Sequence, residues 1–338
     1  MKTAIVILNY NTVELLEKFL PKVIATSSTF ADIIVADNAS KDGSAEYVKK
    51  NFPNVQVLTS TVNYGFAGGY NFFLKQTNYE FVLLLNTDVE VTDNWLQPML
   101  NKMESDESIA AIQPKIKYYH EKEAFEFAGA AGGYIDYLGF PFCRGRVFET
   151  MENDNHQYDD SCEIFWATGA CMLVRKKVFD ELGGFDPDFF AHMEEIDLCW
   201  RMQNAGYKIY YEGSSTVYHM GGGTLSTGNP RKTHLNFRNN LLMLHKNLPK
   251  KSLNRILFFK MVLDGVAAMM FLFRNGTQHF MAVVNAHIYF YKNIENRKAI
   301  RSKTQSQFKL HNTKNIFQSS VVFQYYVGGK KLFSKLVR

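Results

Sequence analysis

Short apolar runs alternate with stretches of helical period through the first hundred residues. AIVILNY (4–10), DIIVADN (32–38), VQVLTS (55–60) and EFVLLLNTDVEV (80–91) are rich in Val, Ile and Leu, and each is expected to be a strand. Between them, residues 12–24, SAEYVKKNF (44–52) and GGYNFFLKQTN (68–78) read as helices. Strands alternating with helices build βαβ units and a mostly parallel sheet. In such sheets ligands bind beyond the carboxyl ends of the strands. The polar residues at those ends are Asn9 and Asn11, Asp37 and Asn38, Asn63, and Asn86 with Thr87 and Asp88.

From about 110 to 160 the pattern loosens. Gly129, Gly132, Gly133, Gly139 and Gly145 lie among aromatics, and a polar stretch follows at 149–160. This reads as a loop-rich lid or hairpin region. IFWATGACMLVR (164–175) reads as strand, KKVFDELGG (176–184) as helix, and FFAHMEEIDLCWR (189–201) as a helix with acidic residues at its start. AGYKIYYEG (205–213) begins with Gly206 as a helix stop, and VYHMGGGT (217–224) ends the region.

Charge divides the chain. Residues 1–228 carry 18 Lys and Arg against 31 Asp and Glu, whereas residues 229–338 carry 20 against 2. The expected division is a main domain over 1–228 and a basic, helix-rich extension over 229–338. Such an extension is expected to face something anionic, and an anionic membrane surface fits better than nucleic acid, for which no recognition module is present. ILFFKMVLDGVAAMMFLF (256–273) is interrupted by Lys260 and Asp264, so it reads as a packed or interfacial helix, not a span. HFMAVVNAHIYFYKN (279–293) is a weaker second case. Cys143, Cys162, Cys171 and Cys199 form no CxxC pair, which indicates free thiols in a reducing compartment. The N-terminus lacks the apolar run and cleavage site of a signal peptide. A cytoplasmic protein, peripheral on the inner face of the membrane, is the expectation.

Several motifs carry chemistry. DNASKDGS places Asp37 at a strand end, where its carboxylate can accept from a nucleobase N–H; the same cluster is also ordinary turn chemistry. NYGFAGGYN puts Gly65, Gly68 and Gly69 around a helix start, which lets an anionic ligand approach. In LLLNTDVE the buried run gives way to Asn86, Thr87 and Asp88, and a carboxylate there can hold a hard cation that also takes diphosphate oxygens. His219, in VYHMGGGT, is a second candidate for that cation, and an imidazole with carboxylates suits Mg²⁺ or Mn²⁺. Glu194, Glu195 and Asp197 lie among Phe189, Phe190, Met193 and Trp200. Acidic residues also compensate the dipole at a helix start. Asp197 and Arg201 are one turn apart and are expected to pair structurally.

The order AIVILNYN, DNASKDGS, NYGFAGG, LLLNTDV, ATGACMLVRKKVFDELGGFDPDFF, EEIDLCWR, VYHMGGGT resembles family 2 glycosyltransferases, and within them the rhamnosyltransferase-like branch that builds surface polysaccharides. The resemblance covers about residues 3–245 and includes HLNFRNNLLMLHKN, similar to that branch's RN-containing helix. It implies a GT-A fold, Rossmann-like and mostly parallel. It also implies an inverting transfer from a nucleotide-diphospho sugar, dTDP- or UDP-linked and with rhamnose among the candidates. The acceptor it implies is a saccharide or a lipid-linked oligosaccharide.

Carried over by motif, Asp37 matches the nucleobase-binding Asp, with Asn9, Asn11, Asn38, Asn63, Gly65, Phe66 and Gly68 around the nucleotide. Asp88 matches the last Asp of the DxD metal motif, whose first position is Asn86 here, and His219 matches a second metal or diphosphate contact. Glu194-Glu195 occupies the Glu-Asp position, whose second residue is the catalytic base. Trp166, Thr168, Gly169 and Phe190 are placed on the acceptor side. A carboxylate walled by Phe189, Phe190 and Trp166 is expected to be kept partly dry, which raises its pKa and makes it a better base. Two alternatives stay open. A nucleotidyltransferase would want an N-terminal glycine-rich triphosphate loop, and AIVILNYNTVELLEKF has none. A non-catalytic nucleotide-sugar-binding subunit would not need Asp88, Glu195 and His219 together.

Overall fold

The computed structural model describes residues 2–221, 228–308 and 314–336. Its first half runs β1 (Thr3–Asn9), α1 (Val13–Ser27), β2 (Asp32–Asp37), α2 (Ser44–Asn51), β3 (Gln56–Thr59), α3 (Gly65–Leu74), β4 (Phe81–Asn86), β5 (Val89–Val91), α4 (Leu96–Ser105) and β6 (Ile109–Tyr118). Four short strands follow: β7 (Gly133–Asp136), β8 (Pro141–Cys143), β9 (Arg146–Val147) and β10 (Thr150–Met151). Next come β11 (Ser161–Ile164), β12 (Cys171–Arg175), α5 (Lys176–Glu181), a 3-10 turn at Pro187–Phe189, α6 (Glu194–Asn204) and β13 (Lys208–His219). The C-terminal part contains α7 (Pro230–Asn247), α8 (Lys250–Arg274), α9 (Thr277–Lys292), α10 (Ile294–Gln305), β14 (Ile316–Phe317), α11 (Val321–Tyr326) and α12 (Phe333–Leu336).

The main sheet has the order β11-β13-β6-β12-β4-β1-β2-β3, with β5 paired to β13. β3, β2, β1 and β4 are parallel to one another, and β12 joins β4 antiparallel. Alternate side chains of one strand enter opposite cores. Ala4 and Val6 join one hydrophobic cluster and Ile5 and Ile7 the other, as do Val82 and Leu84 against Leu83 and Leu85. Burial on both faces explains why these strands read as unbroken apolar runs. The chain leaves β1 toward β2 and β3, then returns to β4 on the other side of β1. That reversal opens a crevice at the carboxyl ends of β1 and β4, where Asn9 and Asn86 end their strands.

Three expectations change in detail. The run 80–91 is not one strand: Thr87 and Asp88 form a turn, and β5 leaves to pair with β13. The run 164–175 is two strands, β11 and β12, separated by the buried stretch Phe165–Ala170. The region after β6 is more ordered than a lid. Its hairpins form a second sheet, β10-β9-β8-β7-β14, completed by a C-terminal strand. The glycines of this region sit under packed side chains: a Cβ on Gly133 would meet the Trp166 indole at 2.1 Å, and one on Gly132 would meet Ile164 at 2.6 Å.

The C-terminal helices share the core of the main sheet through Leu241, Leu242, Met243 and Leu244 of α7. Many of their cations are used internally. Lys246 pairs with Asp186 and, at 3.0 Å, with Asp197, and Arg297 pairs with Asp188. Part of the charge split is thus neutralised inside the molecule. Gly206 has φ +97° just after α6, as a helix stop requires. All four cysteines are free. The end of the glycine run after His219, Gly222 to Thr224, lies outside the described residues.

Candidate active site

The strand ends form a closed hydrogen-bond network. Asn9 Nδ2 donates to Asp37 Oδ2 at 2.7 Å and to Ser40 Oγ at 3.0 Å, and the Ser40 amide donates to Asp37 Oδ1 at 2.9 Å. Asn11, with φ +54°, accepts from the Lys41 amide at 2.7 Å. Thr12 Oγ1 donates to Asn9 Oδ1 at 2.5 Å and lies 3.1 Å from Thr87 Oγ1, which ties β1 to the end of β4. Asn38 Nδ2 donates to Asn63 Oδ1 and to the Gly65 carbonyl, both at 3.0 Å. Asn9, Asp37 and Asn38 are buried, while Asn11 and Asn63 reach the surface beside the exposed rings of Tyr10 and Tyr64.

The start of α3 differs from expectation. The Phe66 and Ala67 amides donate to the Phe190 carbonyl, and the Tyr64 and Gly65 amides are taken by Asn38 and Asn63. These amides are therefore not open to an anion. Gly65, at φ +71°, instead lets Phe190 approach: a Cβ there would lie 2.7 Å from the ring.

At the end of β4, buried Asp88 faces His219 of β13, with Oδ1 and Nε2 3.1 Å apart. The other ring nitrogen, Nδ1, lies 3.4 Å from Glu126 Oε1. Burial opposes the ionisation of Asp88, but the attraction of His219 outweighs it and holds the carboxyl below its ordinary range. Burial likewise disfavours the imidazolium, yet Glu126 and Asp88 together push His219 up to about 10. The donor set fits a divalent cation. As it stands the pair is a hydrogen bond, 3.1 Å from Oδ1 to Nε2, and a cation would take the place of the Nε2 proton, since a ligating imidazole must be neutral. A carboxylate behind a ligating imidazole fixes its tautomer, which is the place of Glu126. Among the described residues no three His, Cys, Asp or Glu side chains converge as a metal site. A cation held by Asp88 and His219 would therefore need donor oxygens and water to complete its shell.

The second half of the site is the approach to α6. Phe190, His192 and Met193 all have positive φ, +62°, +71° and +71°. Backbone of this kind is strained for bulky residues and persists only where neighbours impose it. The neighbour is α7. Asn239 Nδ2 donates to the carbonyls of Phe189, Ala191 and His192 at 3.0, 2.9 and 2.7 Å, and Arg238 reaches those of Asp188 and Phe189. The strained loop delivers Glu194 and Glu195, whose Oε2 atoms are buried without a hydrogen-bond partner among the described residues. Burial, reinforced by the charge of Glu195, raises Glu194 well above the ordinary range. Burial also raises Glu195, and backbone amides at the helix start limit it to about 7. Burial raises both carboxyls, and as neighbours they lose their protons in two successive steps. Asp197 binds Arg201 Nε at 2.9 Å and Asn247 Nδ2 at 2.9 Å, so its role is structural as expected.

The expected acceptor wall is only partly present. Phe190 is half-exposed, with the Arg231 guanidinium 5.0 Å from its ring centre. Trp166 does not line the cleft: it is buried against Gly133 and its Nε1 donates to the Tyr134 carbonyl at 2.9 Å. Phe189 is fully buried under Lys246. Thr168 and Gly169 are buried too, the Thr168 amide donating to Gln113 Oε1 at 3.0 Å and Gly169 lying under Phe66. Glu126, Gln113 and Asn239 were missed in the sequence. The motif order gave no signal for the first two, while Asn239 belongs to the quoted RN pair.

A sheet of this order, with polar side chains gathered at the reversal beside β1, has the layout of a GT-A fold. The chain is a member of glycosyl transferase family 2, whose model matches residues 4–183. N-acetylglucosaminyl-diphospho-decaprenol L-rhamnosyltransferase of Mycobacterium tuberculosis is 26% identical over 249 residues, 68% of this chain and 79% of that protein. Rhamnosyltransferase WbbL of Escherichia coli K12 is 24% identical, over 64% of this chain and 82% of its own length. Among solved structures, GalNAc-T7 with UDP, GalNAc and Mn²⁺ superposes with a TM-score of 0.59 at 17% identity, covering 74% of this chain but about half, 48%, of that one. The mannosyltransferase PcManGT of Pyrobaculum calidifontis, with GDP-Man and Mn²⁺, gives 0.53 at 13% identity over 90% of this chain and 85% of its own. These structural likenesses establish the fold.

Proposed function

We propose that this glycosyltransferase inverts the anomeric centre of a dTDP- or UDP-linked sugar, rhamnose being the leading candidate, and passes it to a saccharide carried on a lipid at the inner face of a membrane. Residues 1–228 would carry the chemistry and 229–338 the attachment. The carrying observation is Glu195: a buried, partnerless carboxylate oxygen, raised to about 7, at the end of a strained loop that touches the nucleotide-side turn at Phe66.

Glu195 accepts the proton of the acceptor hydroxyl as that oxygen bonds to the anomeric carbon. The bond from that carbon to the diphosphate oxygen breaks on the opposite side, which inverts the centre. Between the two proton losses of Glu194 and Glu195, the pair presents one base. Asp37, Asn9 and Asn38 hold the strand ends against the nucleoside, with Asn11 and Asn63 at its rim. Asp88 and His219 would hold Mg²⁺ or Mn²⁺, which when bound neutralises charge on the departing diphosphate. The decaprenol-linked acceptor named for the mycobacterial relative supports a lipid-linked acceptor here. The test is a panel of nucleotide sugars with a polyprenyl-diphospho-N-acetylglucosamine acceptor, with and without EDTA, and the product anomer read by NMR. Retention of configuration, or no transfer from any donor, would sink the reading.

A further inference from the structure

α8 has two faces of opposite character. Ile256, Lys260, Asp264 and Ala268 recur every four residues and are buried. Phe258, Val262 and Val266 recur at the same spacing two positions on, about 200° around the helix, and are exposed, with Phe259, Met269 and Phe273 beside them. Phe273 is 82% exposed. Over residues 256–273 the outward face holds no charged residue, because both charges of the stretch point inward. The helix is long and apolar enough to cross a membrane, yet only 28% of its apolar stretch is buried, so it is not the core helix of a globule. An exposed apolar stripe of this length marks an interaction surface.

Three occupants are conceivable: the interior of a bilayer, a second copy of the chain, or a lipid surface. A span would carry Lys260 and Asp264 into hydrocarbon. Here they pair with each other, Lys260 lies 4.5 Å from the Phe140 ring centre, and His287 of α9 lies 3.2 Å from Asp264. Crossing would keep that intrahelical pair but strip away Phe140 and His287. A second copy would bring like charges together. Lys250, Lys251 and Arg255 stand exposed at one end of α8, and Arg274 at the other. The only acid between residues 250 and 294 is the buried Asp264. An apolar stripe flanked by cations at both ends matches anionic headgroups over acyl chains.

We propose that α8 lies flat on an anionic lipid surface, with Phe258, Phe259, Val262, Val266, Met269 and Phe273 immersed and the flanking Lys and Arg side chains on the headgroup phosphates. The surface gives the lipid-linked acceptor reading its place of action and rests on that reading for its purpose, while its test is binding alone. The full-length protein is floated with phosphatidylcholine vesicles, with and without about one-third phosphatidylglycerol. Wild type is expected to float with the anionic vesicles, at least tenfold more than with neutral ones, and to be released by salt. Val262→Glu with Val266→Glu, at exposed positions, is expected to cut flotation tenfold or more at an unchanged melting temperature. A milder pair, Lys251→Ala with Arg255→Ala, is expected to lose the preference for anionic lipid. Equal flotation on both vesicles, flotation unaffected by the glutamates, a dimer in solution that the glutamates dissociate, or resistance to alkaline carbonate extraction would each overturn the proposal. Turnover with a soluble acceptor is measured in parallel. Failure to float with turnover intact removes the docking surface alone, and flotation without turnover removes the transferase reading alone.

Discussion

The two halves of the site are held by different means. On the nucleotide side, Asn9, Asp37, Asn38 and Ser40 come from adjacent strand ends and satisfy one another. On the proposed acceptor side, Glu194 and Glu195 each keep one oxygen, Oε2, without a hydrogen-bond partner among the described residues, and the strained loop before them is held from a helix some fifty residues further on. The first half is stable because its polar groups are paired. The second stores an uncompensated cost, which is the state a base requires. Stability and reactivity are thereby assigned to different sides of one cleft.

The sharpest break in that comparison is Glu195→Gln. It keeps shape and removes basicity, so turnover should fall by ~10²-fold or more while donor affinity, measured by calorimetry, is nearly unchanged. Wild-type turnover should rise with pH through about 7, where Glu195 ionises, and the variant's residual rate should lack that limb. Loss of donor affinity with the rate intact would mean that the two halves are not separable. On the nucleotide side, Asp88→Ala should weaken metal-dependent donor binding by ~10- to 100-fold. Binding that is equal in EDTA and in the variant would remove the cation from that half.

Asn239→Ala probes the link between the halves. It touches neither ligand, yet it removes three hydrogen bonds to loop carbonyls, one buried and two partly buried. Stability should drop by about 2–4 kcal/mol and turnover by roughly tenfold, with donor affinity spared. Unchanged turnover beside a lowered melting temperature would reduce Asn239 to a scaffold. The smallest effect is expected from Glu194→Gln. A carboxyl raised on folding adds stability below its ordinary pKa of 4.5, and loses it as pH rises toward its folded value. The variant should therefore match wild type near pH 4 and exceed it at neutral pH, read as a melting-temperature gap that opens with pH. A gap that closes as pH rises would reverse the assignment.

What could be read from the sequence follows the same division. Strands buried on both faces announce themselves as apolar runs, and the polar residues that end them are local features. The places of Asn9, Asp37, Asn38 and Asp88 at or just beyond strand ends were therefore legible. The pair Glu194-Glu195 was legible as acids among aromatics, but not its surroundings. Trp166 looked like a cleft wall because aromatic content does not say which face a ring takes. Only the fold shows Gly133 beneath it. Glu126 sits in a stretch without periodicity, and its partner His219 is more than ninety residues away. The turn at Gly65 was read for an anion, whereas a carbonyl from residue 190 fills it. Each miss is a contact between distant segments, which local patterns do not encode.

Asn239 also sets an order of events during synthesis. The strands from β1 to β13 can assemble once residue 219 has emerged, but the loop at 189–193 lacks its holder until α7 follows. A chain halted between the two would own a complete sheet and an unfinished base. Emergence of α8, the helix proposed to lie on lipid, and completion of the loop before Glu195 then fall close together in time, so under that proposal a nascent chain acquires its base only as it acquires its anchor.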